Sequence, residues 1–296
     1  MLFRHRPLFA QAGLKDISEP QDLEVRDIAL PGDRELGRRF VLLLPKHLEK
    51  NERVPLLVLL HGLGESGDER MGVYAWLERY GVCTAYDRLR RAPILRTSKR
   101  KDWTDTRLKQ LNQELSARPF KGLAIACPFT PNIHGLIKTS KKFNEPGAAL
   151  EGYTQWIAET VIPRARKEGA CIADGAANTA IDGCSLGGYL SLEVFLRRPD
   201  LFAAWGGVQS AFGAYRVPSY ADRIEKALAK EAPRRIRLHL QTSTNDPFRE
   251  SNEKLSALLN TKGVPNDLLV LPGPHDQPWL RESGTLEMLH WHDRMR

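Results

Sequence analysis

Short apolar segments alternate along this chain with segments of helical periodicity, and this alternation restricts the fold more than any other feature. The segments with the composition of β-strands are residues 23–30, 38–45, 54–62, 122–129, 178–185, 201–209, 235–243 and 267–273. The run VPLLVLLHG at residues 54–62 is rich in Val and Leu and ends in Gly, which is typical of a strand covered on both faces.

Apolar residues at helical spacing predict helices between these strands, at residues 150–161, 186–198, 248–263 and 285–294. Strands that alternate with helices imply right-handed crossovers and a mainly parallel, twisted sheet with helices on both faces. The two leading strands are expected to be antiparallel. Functional sites on such sheets lie at the carboxyl ends of the strands.

Residues 83–121 do not fit this alternation. They separate two predicted core strands by more than a usual connection, so we interpret them as an insertion that is helical around residues 106–116. The chain as a whole, residues 1–296, is predicted to be a single domain. Because an insertion after a central strand lies over the carboxyl edge of the sheet, this segment is a candidate lid.

The excess of positive charge lies in this insertion. The chain has 44 Lys and Arg, 36 Asp and Glu and a formal net charge of +8, and residues 88–121 alone contain eleven basic and three acidic residues. The segment is either a solvated helical face, which is the commoner case, or a lid whose arginines attract an anionic ester. Nucleic acid is not expected as a partner, because aromatic stacking surface is scarce around Trp103 and no binding module is recognised.

The cysteines Cys83, Cys127, Cys171 and Cys184 lie far apart without a CxxC pair, so we interpret them as free thiols rather than metal ligands. The start, MLFRHRPLFAQAGLK, lacks the apolar core of a signal peptide, and no apolar run is as long as a membrane span. These patterns favour a cytoplasmic protein without a membrane span. No metal or cofactor is expected.

The stretch AIDGCSLGGYL at residues 180–190 joins a predicted strand to a predicted helix. In a nucleophile elbow the backbone on each side of the nucleophile passes too closely for side chains, which produces the pattern G-x-S-x-G. Gly183 and Gly187 centre this pattern on Ser185, whereas Cys184 has no glycine two residues away on either side. We therefore predict that Ser185 is a nucleophile and that Cys184 packs beneath the turn. A plain structural turn is the alternative.

A serine hydroxyl is a weak nucleophile and needs a base that a third group orients. Where this elbow occurs, the chain order is Ser, then acid, then His, each on a loop after a later strand. His275 in LPGPHDQPW directly follows the last predicted strand, and Asp246 in TSTNDPF follows the strand before it. We predict a catalytic triad of Ser185, Asp246 and His275. The alternatives are a surface histidine and an aspartate that caps a helix.

Acyl transfer also needs hydrogen-bond donors for the negative charge that develops on the carbonyl oxygen. The stretch LLHGLGESG at residues 59–67 follows the third predicted strand, and its amide at Leu63 is expected to face the site. The amide of Leu186, directly after the nucleophile, is the second predicted donor. An ordinary glycine turn is the alternative for residues 59–67.

Three stretches of this chain resemble the α/β-hydrolase esterases, most closely the group that includes esterase D and enterochelin esterase. They are HGLGESGDE, GCSLGGYLSLEVFLRRPDLFAAWGGVQSAFG and TNDPFRESNEKLSALLNTKGVPNDLLVLPGPHDQPWL. The resemblance covers residues 23–294 and departs at the basic insertion and at residues 130–143. It implies the α/β-hydrolase fold, the triad named above, an acyl-enzyme intermediate and no metal.

The combined prediction is a serine hydrolase that cleaves a small-molecule carboxylic ester through an acyl-enzyme. Two alternatives stay open. One is a catalytically silent module that binds an anionic partner through the insertion, and the other is an acyltransferase or peptidase that uses the same triad. The resemblance does not define the substrate, because its departures fall where such enzymes form their pockets.

Overall fold

A computed structural model describes residues 20–295 of the chain. The expectation that residues 1–15 are not a signal peptide therefore lies outside the described residues. Within residues 20–295, the strands are β1 (Leu23–Ala29), β2 (Arg39–Pro45), β3 (Leu56–Leu60), β4 (Ala124–Pro128), β5 (Thr179–Gly183), β6 (Ala204–Val208), β7 (Arg237–Asn245) and β8 (Asp267–Pro274).

These strands form one sheet in the order β1-β2-β4-β3-β5-β6-β7-β8. β1 is antiparallel to β2, β2 is antiparallel to β4, and every other neighbouring pair is parallel. The prediction of a mainly parallel sheet with antiparallel leading strands is confirmed. Because β3, β5, β6 and β7 run in the same direction, their carboxyl ends meet at one edge of the sheet.

The helices are α1 (Glu69–Val73), α2 (Ala75–Glu78), α3 (Val82–Arg90), α4 (Asp105–Ala117), α5 (Ile133–Leu136), α6 (Pro146–Trp156), α7 (Ile162–Glu168), α8 (Leu186–Arg197), α9 (Val217–Glu231), α10 (Arg249–Thr261), α11 (Gln277–Trp279) and α12 (Thr285–Asp293). A π-helical turn, Ile157–Val161, joins α6 to α7, and another, Leu280–Gly284, joins α11 to α12. In the part of the chain that the structure describes, no helix is long and apolar enough to cross a membrane.

The central strand β3 shows how the sheet separates two apolar clusters. Its residues Leu56, Val58 and Leu60 face the cluster that includes α6, α8, α9 and α10. Leu57 and Leu59 face the opposite cluster, which includes α3, α4 and α12. Alternate side chains point to opposite faces of a strand, so an unbroken apolar run is what a strand covered on both sides requires.

Helix α9 is a helix that the sequence analysis does not predict. Its buried residues are Val217, Tyr220, Ala221, Ile224 and Ala227, which recur at helical spacing. The signal is therefore present in the sequence. Two of these residues are alanines and one is a tyrosine, and such residues indicate a buried helix face less clearly than Leu or Ile would.

The basic segment, residues 83–121, packs against the body of the protein through much of its length. Helix α3 lies against α12, and α4 buries Leu111 and Leu115 in the same cluster. Several of its arginines contact carboxylates, in the pairs Arg88–Glu282, Arg91–Asp22, Arg96–Asp105, Arg100–Asp102, Arg100–Asp276, Arg107–Glu114 and Arg107–Glu287. Much of the segment's positive charge is thus neutralised within the fold.

The pair Arg107–Glu287 joins α4 to α12 and is a direct test of this packing. Its closest N–O distance is 2.6 Å, and the Glu287 side chain is 1% exposed. Burial raises the pKa of the Glu287 carboxyl despite the hydrogen bonds from Arg107. We expect Arg107→Ala to lower the free energy of unfolding by about 3–5 kcal/mol, because a buried carboxylate loses its partner.

The control for this measurement is Lys109→Ala, an exposed position on the same helix. Urea denaturation of this variant is expected to match the wild type within about 0.5 kcal/mol. Equal losses in the two variants would contradict the assignment of Arg107 as the partner that holds α4 to α12.

Candidate active site

The turn between β5 and α8 has the geometry of a nucleophile elbow. Ser185 has φ 54° and ψ −115°, a backbone conformation that residues other than glycine rarely adopt. A Cβ atom on Gly187 would overlap the carbonyl of Leu60, and one on Gly183 would overlap the backbone of Gly187. The Ser185 amide donates to the carbonyl of Val208 at 2.9 Å. Both glycines are therefore required by the close approach of backbone to backbone.

The structure brings the three predicted triad residues into one row of hydrogen bonds. Ser185 Oγ lies 3.0 Å from His275 Nε2, and His275 Nδ1 lies 2.8 Å from Asp246 Oδ1. Asp246 is buried, and its Oδ2 accepts from the hydroxyl of Thr242 at 2.6 Å while its Oδ1 accepts from the amide of Phe248 at 3.0 Å. With the carboxylate ionised, Nδ1 carries the imidazole proton and Nε2 accepts the proton of the serine hydroxyl.

Gln209 is a residue of the site that the sequence analysis does not identify. It directly follows β6 and has a positive φ of 49°. Its side-chain amide donates to Ser243 Oγ at 2.7 Å and to the carbonyl of Pro274 at 3.1 Å. Pro274 immediately precedes His275, so Gln209 holds the loop that carries the imidazole. A lone glutamine after a strand gives no sequence signal for such a role.

The two amides predicted to stabilise the oxyanion, those of Leu63 and Leu186, each lie at the first residue of a helical segment. Leu63 begins a short 3₁₀ turn, Leu63–Glu65, and Leu186 begins α8. The first amides of a helix have no acceptor within it. Neither amide donates a hydrogen bond to any other residue within the described range 20–295. Both N–H groups are thus available to a ligand.

His61 holds the peptide group that carries the Leu63 amide. The amide of Thr130 donates to His61 Nε2 at 2.8 Å, so Nδ1 carries the proton and donates to the carbonyl of Gly62 at 2.8 Å. Burial lowers the pKa of His61 to about 4 and keeps the ring neutral. In a trans peptide the C=O and the following N–H point in opposite directions. A fixed Gly62 carbonyl therefore fixes the direction of the Leu63 N–H.

A cleft of about 290 Å³ opens beside Ser185, and several polar side chains are among the residues that line it. Glu65 lines it, accepts a hydrogen bond from the hydroxyl of Tyr80, and accepts another from the side-chain amide of Gln277 at 3.0 Å. Asp276 lines the cleft next to His275 and is paired with Arg100 of the basic segment at 3.1 Å. These contacts tie the loop after β3 and the basic segment to the loop of the imidazole.

Two further buried groups lie directly beneath the elbow. Cys184 is 3% exposed, and burial raises the pKa of its thiol, so the sulfur stays protonated and packed. Asp182 and His292 are fully buried and lie 2.8 Å apart, which joins β5 to the C-terminal helix α12. Within the described residues, no cluster of three or more His, Cys, Asp or Glu side chains is arranged to hold a metal ion.

The sheet order and the elbow define the α/β-hydrolase fold, and solved structures of that fold resemble this chain. A ferulic acid esterase is 20% identical, with a TM-score of 0.66 over 93% of this chain and 100% of the other. An S-formylglutathione hydrolase from Staphylococcus aureus is 16% identical, with a TM-score of 0.57 over 93% and 98%. The enterobactin esterase of Shigella flexneri is 14% identical, with a TM-score of 0.52 over 92% of this chain and 59% of its own.

These neighbours belong to the group of esterases that the sequence motifs resemble. Because their sequence identities to this chain are low, the similarity establishes its fold alone. The predicted α/β-hydrolase fold is confirmed. No protein-family model matches the sequence, and no curated protein matches it either.

The elbow can be tested through its glycines. We expect Gly187→Ala to lower the free energy of unfolding by about 1–3 kcal/mol, because the new Cβ overlaps the Leu60 carbonyl. Gly67→Ala is the control, since a Cβ at that position has no neighbour within 4 Å. Chemical denaturation of both variants measures the difference, and the elbow geometry is refuted if they are equally stable.

The neutral state of His61 predicts a pH dependence of stability. The folded pKa of about 4 lies below the ordinary 6.5, so the unfolded chain binds a proton at this residue as the pH falls below 6.5 while the folded chain does not. The stabilisation is thus present above pH 6.5 and is lost as the pH falls toward 4. Between pH 7 and pH 5, the wild type should lose about 2 kcal/mol more unfolding free energy than His61→Gln. Equal losses would contradict this account.

Proposed function

We propose that this protein is a serine hydrolase that cleaves a small-molecule carboxylic ester through an acyl-enzyme intermediate. Ser185 is the nucleophile, His275 the general base and Asp246 the group that orients the imidazole. The observation that carries the proposal is the row of hydrogen bonds from Ser185 Oγ through His275 to Asp246, at 3.0 and 2.8 Å. The esterase and hydrolase names of the similar structures also support it.

In the proposed reaction, His275 Nε2 takes the proton of the Ser185 hydroxyl as Oγ bonds to the ester carbonyl carbon. The carboxylate of Asp246 stabilises the imidazolium that results. The imidazolium then gives its proton to the departing alcohol, and the acyl group stays on Oγ. In the second half, His275 takes a proton from water, the hydroxide adds to the acyl carbon, and the carboxylic acid leaves Ser185, which regains its proton.

The negative charge on the carbonyl oxygen of each tetrahedral intermediate is assigned to the amides of Leu63 and Leu186. Their N–H groups have no other acceptor within residues 20–295. Donors that are already oriented stabilise the transition state without reorganisation, and one such donor is typically worth about 3 kcal/mol. His61 contributes as a positioning residue, because it fixes the peptide group of which the Leu63 amide is part.

We further propose that the chain forms a single domain, and that the insertion within it, residues 83–121, supports the active site rather than binds an anionic partner. Arg100 contacts Asp276 beside His275, and neighbouring arginines are also paired with carboxylates. A cytoplasmic location is part of the proposal and is supported by the four free cysteines, since reducing compartments keep thiols reduced.

The adjacent residues Ser185 and Cys184 allow a matched test of the nucleophile. We expect Ser185→Ala to lower kcat/KM for p-nitrophenyl acetate by about 10⁴-fold or more, because the attacking oxygen is removed. Cys184→Ala should stay within about threefold of the wild type, since the thiol is buried and protonated. Release of p-nitrophenol measures both rates, and equal rates for wild type and Ser185→Ala would contradict the proposal.

The acyl-enzyme can be tested by partitioning. Acetyl esters with different leaving groups must pass through the same acetyl-Ser185, so added methanol should give one ratio of methyl acetate to acetate for all of them. A ratio that changes with the leaving group would exclude a shared intermediate. Predominant methyl ester formation at low methanol would instead favour the acyltransferase alternative.

A further inference from the structure

A cluster of tyrosines around Arg216 lies near the elbow and is not part of the lining of the cleft beside Ser185. Tyr189 follows Ser185 by four residues in α8, a rise of about 6 Å along the helix axis. Tyr215 and Arg216 lie in the loop after β6, in the short turn Ala214–Arg216. The amide of Ala211 in that loop donates to the carbonyl of Ser185 at 3.0 Å.

Arg216 is bound by phenol oxygens. Its Nε donates to the hydroxyl of Tyr215 at 3.1 Å, and its Nη1 lies 3.3 Å from the hydroxyl of Tyr220 and 3.5 Å from that of Tyr189. The guanidinium also lies over the rings of Tyr189 and Tyr215, at 5.4 and 5.6 Å from their centroids. Among residues 20–295, no carboxylate pairs with Arg216, and its Nη2 has no hydrogen-bond acceptor.

The nearby carboxylate, Glu193, is already neutralised by other groups. Arg197 and Arg223 donate to it, and so does the hydroxyl of Tyr220 at 2.8 Å. Burial opposes its ionisation, but the hydrogen bonds from Arg223 and Arg197 outweigh burial and lower the pKa of Glu193 to about 2. The positive charge of Arg216 is therefore left without a countercharge at this surface.

The hydroxyls of Tyr189 and Tyr215 accept from Arg216 and donate to no acceptor in the described part of the chain. Together with Nη2 of Arg216, they offer hydrogen-bond donors with no competing acceptor. Tyr215 is 81% exposed and Arg216 is partly exposed, whereas Tyr189 is only 4% exposed, so Arg216 and Tyr215 are the members of this group that solvent reaches. The charged Nη2 group and an adjacent phenol hydroxyl can each donate to one of the two oxygens of a carboxylate.

We propose that Arg216, with Tyr189 and Tyr215, binds a carboxylate on the substrate, so that this protein prefers esters that carry a negative charge. This proposal rests on the proposed ester hydrolysis at Ser185 and assigns its substrate class. The carboxylate belongs either to the acyl part or to the alcohol part of the ester. Two pairs of esters distinguish these sources. The pair p-nitrophenyl hexanoate and mono-p-nitrophenyl adipate tests the acyl part, and the pair phenyl acetate and 4-acetoxybenzoate tests the alcohol part. In each pair, the two members differ by a carboxylate.

The test compares kcat/KM of the wild type, Arg216→Gln and Arg216→Lys on all four esters. We expect Arg216→Gln to lower kcat/KM for the carboxylate ester of at least one pair by about tenfold or more, chiefly through KM, because a charge-assisted hydrogen bond is lost. The neutral ester of that pair should change less than about twofold, which also shows that the variant is folded. Arg216→Lys keeps the positive charge but not the planar guanidinium that the three phenol oxygens hold in place, so its loss should be intermediate.

The matched control is Arg235→Gln, an exposed arginine just before β7 at the amino end of the sheet. It should leave all four values unchanged. The carboxylate site is refuted if the wild type cleaves the neutral esters but Arg216→Gln changes charged and neutral esters by the same factor, or changes neither. If the wild type cleaves none of the four esters, or Ser185→Ala cleaves them equally well, the proposed hydrolase function fails and the substrate assignment fails with it.

Discussion

The contact between the backbone of Gly187 and the carbonyl of Leu60 is the constraint on which the site depends. A residue with the φ and ψ of Ser185 costs about 1–3 kcal/mol, so the surrounding structure must impose this conformation. The burial of α8 on one face of the sheet and the backbone hydrogen bond from Ser185 to Val208 do so. The result is a hydroxyl that projects from the rim of the sheet, where loops from other strands can reach it.

The parallel direction of the central strands assembles the remaining groups. Asp246 and His275 follow β7 and β8, Gln209 follows β6, and Leu63 follows β3. These residues lie at the same edge of the sheet because the strands that precede them end there. Side-chain contacts then lock neighbouring loops together, as Gln209 does with the loop of His275. The site is thus a property of the whole sheet rather than of any single segment.

Much of this arrangement could be predicted from the sequence, since its signals are local. Apolar runs marked the strands, two glycines identified Ser185, and chain order identified the positions of Asp246 and His275 that the structure brings together. Contacts between distant segments left no such signal. Nothing in the sequence shows that Gln209 donates to the carbonyl of Pro274 or that three phenol oxygens surround Arg216.

The charge of the basic segment is a second property that the sequence alone could not predict, because it depends on contacts between distant segments. Counted along the chain, its arginines form an unpaired cationic stretch. In the fold, Arg88 and Arg107 meet Glu282 and Glu287, which lie far away in sequence. The local excess of charge left an anion-attracting lid open there as an alternative to a solvated face, whereas the proposed carboxylate site uses Arg216, in the loop after β6, which has no carboxylate partner within residues 20–295.

The central claim is that Ser185, activated by His275, reacts with an electrophilic substrate. Its most direct test is reaction with a fluorophosphonate, followed by mass spectrometry of the digested protein to locate the adduct. The account predicts a single phosphonyl group on Ser185 and a strongly reduced labelling rate in His275→Ala. An adduct on another residue, or an equal labelling rate without the imidazole, would contradict it.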